Sequence, residues 1–208
     1  MEKKQTAGTW RTGHHRNWDC RRRHRDPERP ATSETLGLIQ VGTTLDYPLD
    51  TLRDPITTRF PWIDVSITST LAEPAEAYDS LRNQYHSTRI LIFLEQKIQN
   101  LQVNRLLGVT HFDLFVPGLN FVFGEARLPG RVGVISTYRL KASSRGEAGL
   151  FVERVVKEAI HEIGHMVGLE HCSDTSCVMY FSNTLADTDY KGPDFCGKCR
   201  SQVRMQIE

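Results

Sequence analysis

The segment HEIGHMVGLEH, residues 161–171, constrains this chain more tightly than any other, because three histidines can serve one purpose there only if the backbone takes a particular path. Leu150, Phe151, Val155, Ile160, Ile163 and Val167 recur at helical spacing, which predicts a long helix with a buried stripe from about Glu147 to Val167. On that helix His161 and His165 lie about 40° apart around the axis and about 6 Å apart along it. Their imidazoles can therefore share one metal ion. Glu162 lies about 100° round from His161, off the ligand line but within reach of a water beside the metal, where a general base would sit. If the helix continued, His171 would stand about 9 Å beyond His165 and point elsewhere. Gly168 removes the conflict, since glycine readily accepts the left-handed backbone that ends a helix and turns the chain back. His171 is then the expected third ligand. Glu170, beside it, is expected to be a solvated carboxylate without a role.

Three neutral imidazoles leave a fourth tetrahedral position open, which distinguishes a catalytic zinc site from a structural one. Zinc lowers the pKa of a water there to about 7, and Glu162 can take its proton and pass it to a leaving amine. Amide hydrolysis is the implied chemistry. A histidine standing alone would be read as an ordinary surface or core residue; the set of three around Glu162 and Gly168 is not.

The cysteines form a second constellation. Cys172 and Cys177 enclose four residues, Cys196 and Cys199 enclose two, and Cys20 is left over near the N-terminus. Four thiols in two close pairs match a closed four-thiolate zinc site. Two disulfides, or a redox pair at Cys196 and Cys199, are the competing readings; neither suits a reducing compartment, and no strand is predicted just before that pair. A zinc at the four cysteines would also fix the loop presenting His171, because Cys172 follows it directly.

The rest of the chain supplies the scaffold. At 208 residues and 39% hydrophobic, it is long enough for a single domain with its own core, expected over residues 35–208. Residues 1–34 carry nine Lys and Arg against five Asp and Glu, including the run Cys20-Arg21-Arg22-Arg23-His24-Arg25, and are read as a disordered basic arm. Such an arm is either a solvated extension or a contact for nucleic acid or another polyanion. No apolar run approaches a membrane span, and the first thirty residues lack the apolar centre of a signal peptide, so a cytoplasmic, membrane-free protein is expected. The sequence leaves the oligomeric state open, with a monomer favoured. Strands are predicted at Leu36 to Val41, Ile63 to Ile67, Val109 to Val116, Phe121 to Phe123 and Val132 to Thr137. A short helix near Leu52 and an amphipathic helix from Thr88 to Gln102 accompany them, with Leu128 to Arg131 as a turn.

The extended motif HExxHxxGxxH resembles that of the metzincin metallopeptidases. Its continuation, a cysteine directly after the third histidine, CxM and a later CxxC, is similar to that of the archaemetzincins, with matching residues from His161 to Cys199. The resemblance implies an α/β fold of the α+β kind: a mixed, mainly parallel twisted sheet of about five strands with backing helices and a long active-site helix. Residues 35–168 would form that part, and residues 169–208 a small zinc-stapled C-terminal subdomain. It further implies two zinc ions, one on His161, His165 and His171 with Glu162 as base, the other on Cys172, Cys177, Cys196 and Cys199. Met179 would form the floor called the Met-turn; on sequence alone it reads equally well as a core methionine. A peptide or protein substrate would pair with the sheet's edge strand, for which Phe121 to Phe123 is the candidate. Some metzincins have a metal-binding tyrosine two residues after the methionine, where this chain has Phe181. A zinc-stabilised binding module using the basic arm, and a metallohydrolase acting on something other than peptides, are the alternative readings.

Overall fold

A computed structural model describes residues 34–141 and 148–205; the basic arm, apart from Glu34, and Cys20 lie outside the described residues. In chain order the elements are β1 (Glu34–Val41), α1 (Arg53–Arg59) after a 3-10 turn at Leu49–Leu52, β2 (Ile63–Ile67), β3 (Tyr78–Asp79) and β4 (Gln84–His86). Then follow α2 (Ser87–Ile98), β5 (Arg105–Thr110), β6 (Leu114–Phe115), β7 (Gly124–Ala126), β8 (Val132–Ser136), α3 (Ala148–Met166), α4 (Leu185–Tyr190) and α5 (Gly197–Met205).

Five strands form one sheet in the order β2-β1-β5-β8-β7, parallel except for β7, which runs antiparallel to β8 at one edge. Alternation along β1 sends Leu36 and Leu38 to one face and Ile39 and Val41 to the other, all four wholly buried. Helices cover both faces, as a mainly parallel sheet requires. Ile90, Leu91, Leu94 and Ile98 of α2 pack on one side, and Val155, Ile160 and Ile163 of α3 on the other. Each such side chain contributes about 1.5–3 kcal/mol by leaving water. The C-terminal segment joins the α3 layer: Val178, Met179, Phe195 and Val203 share its buried cluster. The fold class is the one the sequence implied.

Several boundaries differ from the expectations. The strand expected over Val109 to Val116 is two elements: β5 ends at Thr110, and β6 belongs to a separate three-stranded sheet with β4 and β3. The alternation of Phe112, Leu114 and Val116 was real, but the chain leaves the main sheet at His111, and Leu114 and Phe115 pair with Tyr85 and His86. Phe121 to Phe123 is not a strand either. Phe121 and Phe123 pack edge to face at 5.2 Å and Val122 makes a single bridge to Leu114, while the edge strand of the sheet is β7. The helix expected to reach Gln102 stops at Ile98. Glu34, assigned to the arm, begins β1 and ion-pairs with Arg105 at 2.6 Å.

A charged seam fastens α4 to α3. Arg154 grips Asp189 with two bonds of 2.5 and 2.7 Å, and Lys157 Nζ donates to the carbonyls of Thr188 and Asp189 at 3.1 and 3.3 Å. Those carbonyls end α4, where the helix leaves acceptors unpaired and favours cations. At its other end α4 starts in a reciprocal cap between Thr184 and Asp187.

Candidate active site and metal centres

The end of α3 follows from Gly168, which adopts φ +96°. Its N–H bonds to His165 O at 2.9 Å and that of Leu169 to Gly164 O at 2.9 Å, the paired bonds of a Schellman motif. The reversal brings His171 to the two helical histidines. Ring centroids are 4.6 Å apart for His161 and His165, 4.8 Å for His165 and His171, and 5.3 Å for His161 and His171. One ring nitrogen from each of the three lies within 4.8 Å of the others.

Hydrogen bonding fixes which nitrogens face the centre. His161 Nδ1 is 2.8 Å from Val178 O and His165 Nδ1 is 2.7 Å from Leu169 O; a carbonyl only accepts, so each Nδ1 carries the proton. Both Nε2 atoms then present lone pairs, and they stand 3.0 Å apart. Two facing lone pairs repel unless a cation lies between them. The separation is close to the roughly 3.3 Å that two ligands subtend on a tetrahedral zinc at about 2.0–2.1 Å. Burial holds His161 well below the ordinary imidazole pKa and His165 down to about 4, and lowers His171 too; the charge of Lys191 adds to all three shifts. The ligand set is thus kept neutral, as metal binding requires.

Glu162 points into the same space. It is buried, its Oε2 has no hydrogen-bond partner, and burial, reinforced by Glu158, pushes its carboxyl well above the usual range. β7 presses against it: a Cβ added at Gly124 would fall 2.6 Å from Glu162 Oε1 and 2.8 Å from Cγ. Only glycine lets the edge strand approach the carboxylate so closely. The strand, the histidines and Phe181 line a cleft of about 260 Å³. Phe181 lies 4.9 Å from the His171 ring and offers no hydroxyl. Below the site, Met179 is fully buried with its thioether packed against Gly164, the helix position between the two histidines.

The four cysteines converge beside this centre, their sulfurs within 4.8 Å of one another. All four are free cysteines, with no disulfide among the described residues. Cys172 Sγ and Cys196 Sγ are 3.7 Å apart, against about 3.8 Å for two thiolates on a tetrahedral zinc at about 2.3 Å. Backbone N–H groups of Asp174 and Cys196 donate to Cys172 Sγ at 3.4 Å and Cys177 Sγ at 3.3 Å. Burial raises the thiol pKa of Cys177 and Cys199, whereas the backbone bond at Cys199 lowers that of Cys196. Cys172 N also donates to Met179 O at 2.9 Å, tying the loop that carries His171 to the floor of the histidine site.

Every candidate ligand is therefore brought into one of two groups. Glu158 and Lys191, wholly missed from the sequence, form a buried ion pair of 3.0 Å, and Glu158 lines the cleft one turn before Glu162. The available signal was the charged run Arg154, Lys157 and Glu158 inside a helix otherwise apolar on its buried side.

Comparison with known proteins agrees with this geometry. The sequence pattern of peptidase family M54 matches residues 65–205. An archaemetzincin of Methanopyrus kandleri is 44% identical over 135 residues, 65% of this chain and 74% of its own length. One from Natronomonas pharaonis is 42% identical over 146 residues, 67% of this chain and 83% of its own. Among solved structures, the Methanopyrus kandleri archaemetzincin superposes with a TM-score of 0.74 at 34% identity, covering 85% of this chain and 97% of that one. The Archaeoglobus fulgidus archaemetzincin, complexed with malonate, gives 0.70 at 38% identity, with coverage of 80% and 99%. With its fold and most of its length matched, the chain belongs to peptidase family M54, the zinc metallopeptidases that include the archaemetzincins.

Proposed function

We propose that the cleft is a peptidase active site in which His161, His165 and His171 hold one zinc ion and Glu162 acts as general base and acid. The observation that carries this reading is the pair of Nε2 lone pairs 3.0 Å apart beside a buried, unpartnered Glu162 oxygen. A zinc ion held by these three histidines would supply Lewis-acid chemistry for the scissile carbonyl and the attacking water. Glu162 takes the proton of that water and returns it to the leaving amine, so no net proton is consumed at the carboxylate. Burial raises its carboxyl above the ordinary range, which strengthens it as a proton acceptor. Among the described residues β7 is the edge strand of the sheet and lines the cleft, and an extended peptide laid antiparallel along it would pass between that strand and the histidines.

Cys172, Cys177, Cys196 and Cys199 hold a second zinc ion of structural kind, with no open position for substrate. Met179 supports the histidine site from beneath through its contact with Gly164. The test is a peptide-library digest by the zinc-loaded chain beside Glu162→Gln. That change keeps size and removes the base, so zinc should stay bound while hydrolysis falls by about 10² to 10⁴. Equal turnover by the two proteins refutes the assignment, and turnover of esters or acylated amines without peptides moves the chemistry to another hydrolase class.

A further inference from the structure

The cleft holds a charged pair that the proton transfers do not use. Glu158 sits four residues before Glu162, on the same face of α3, and lines the same cleft as Phe121, Phe123 and Phe181. Glu158 is 4% exposed and Lys191 is fully buried. Lys191 Nζ meets Glu158 Oε1 at 3.0 Å and Thr188 Oγ1 reaches the same oxygen at 3.4 Å, while Lys191 also donates to Tyr180 O at 3.4 Å. Among the described residues, neither contact to Glu158 uses Oε2. Glu158 thus lines a cleft with aromatic walls while its second oxygen stays outside both contacts.

We propose that Glu158, held in place by Lys191, is a specificity-determining residue that selects a substrate side chain with an aromatic body and a terminal hydroxyl, which among the standard residues is tyrosine. The inference rests on the peptidase reading of the cleft. Phenylalanine would fill the aromatic walls equally well, but it would strip water from Oε2 and leave a buried acceptor unpaired. Lysine or arginine would place a second cation on a carboxylate that Lys191 already neutralises, and an acidic side chain would meet Glu158 directly. A phenol supplies the one donor needed without charge, and its ring packs on Phe121, Phe123 and Phe181.

The experiment is calorimetric titration of the zinc-loaded full chain with three hydroxamates, identical except for a tyrosine, phenylalanine or lysine side chain next to the metal-binding group. The tyrosine compound should bind about 10- to 100-fold more tightly than the phenylalanine compound, the range for a hydrogen bond to a charged acceptor, and lysine should be the weakest. Glu158→Leu combined with Lys191→Met removes both charges together, a change that a well-packed interior tolerates. That double variant should bind the tyrosine and phenylalanine compounds alike. Phenylalanine binding as tightly as tyrosine in the unaltered chain overturns the proposal, as does absence of binding by all three. A tyrosine preference that survives in the folded double variant does so too. If the double variant does not fold, the tyrosine-to-phenylalanine ratio of the unaltered chain decides alone. Calorimetry reads binding without turnover: a chain that prefers tyrosine yet cleaves no peptide sinks the peptidase reading and not this one, and cleavage without the preference does the reverse.

Discussion

Gly124→Ala is the substitution whose effect the structure defines most closely. The added methyl would stand 2.8 Å from Glu162 Cγ and 2.6 Å from Oε1, whereas carbon atoms in contact settle at about 3.5 Å. Clearing the Cγ contact alone moves the Glu162 side chain by roughly 0.7 Å, since both the strand and the helix are anchored in the core. A misplacement of about 1 Å at a reacting group can lower a rate by about 10², so kcat should fall roughly 10- to 100-fold. The three atoms nearest the added methyl all belong to Glu162, and zinc content should not change. Gly149→Ala serves as a control, because a Cβ there meets nothing within 4 Å and alanine suits a helix. The assay is steady-state peptide hydrolysis with zinc measured on the same sample. Undiminished kcat in Gly124→Ala, or a crystal structure of it with Glu162 unmoved, would refute the claim that β7 positions the base.

Other outcomes follow from individual contacts. Lys191→Met leaves Glu158 charged and buried, which should cost about 3–5 kcal/mol in denaturant unfolding; a loss under about 1 kcal/mol would mean the pair is not desolvated in solution. Gly168→Ala forces a side chain into φ +96°, so a cost of about 1–2 kcal/mol and weaker zinc binding should appear together, and unchanged affinity would show that the turn does not set His171. Because burial keeps His165 neutral down to about 4 in the metal-free chain, protons compete weakly for it above that pH. Zinc affinity should therefore hold well below the ordinary imidazole pKa of about 6.5, and a fall already complete at that pH in a binding titration would contradict the shift. Removing residues 1–33 leaves β1 whole, so the melting temperature should drop by no more than about 4 °C, roughly 1 kcal/mol for a chain this size.

The histidine site was legible because one helix and one glycine determine it: the spacing of His161 and His165 and the left-handed turn at Gly168 are local properties. The four cysteines were legible from their pairing along the chain, although Cys172 and Cys196 meet only through the fold. β7 was not. Gly-Glu-Ala has little strand propensity, and its glycine is needed by Glu162, thirty-eight residues away, whereas the aromatic run just before it looks like a strand and is used for packing. The same limit applies to Glu158 and Lys191. Each alone reads as an exposed charge, and only the packing of α4 against α3 reveals them as a buried pair.

The most direct test of the account is stepwise zinc removal by a chelator, followed simultaneously by metal content, peptide hydrolysis and circular dichroism. Three neutral imidazoles with an open position should yield first, and four thiolates in a closed site last. The account predicts two zinc ions per chain, loss of hydrolysis with the first while the fold persists, and unfolding only with the second, since structural zinc can contribute about 10 kcal/mol or more to folding. A single zinc per chain, or activity and structure lost together at the first equivalent, would contradict it.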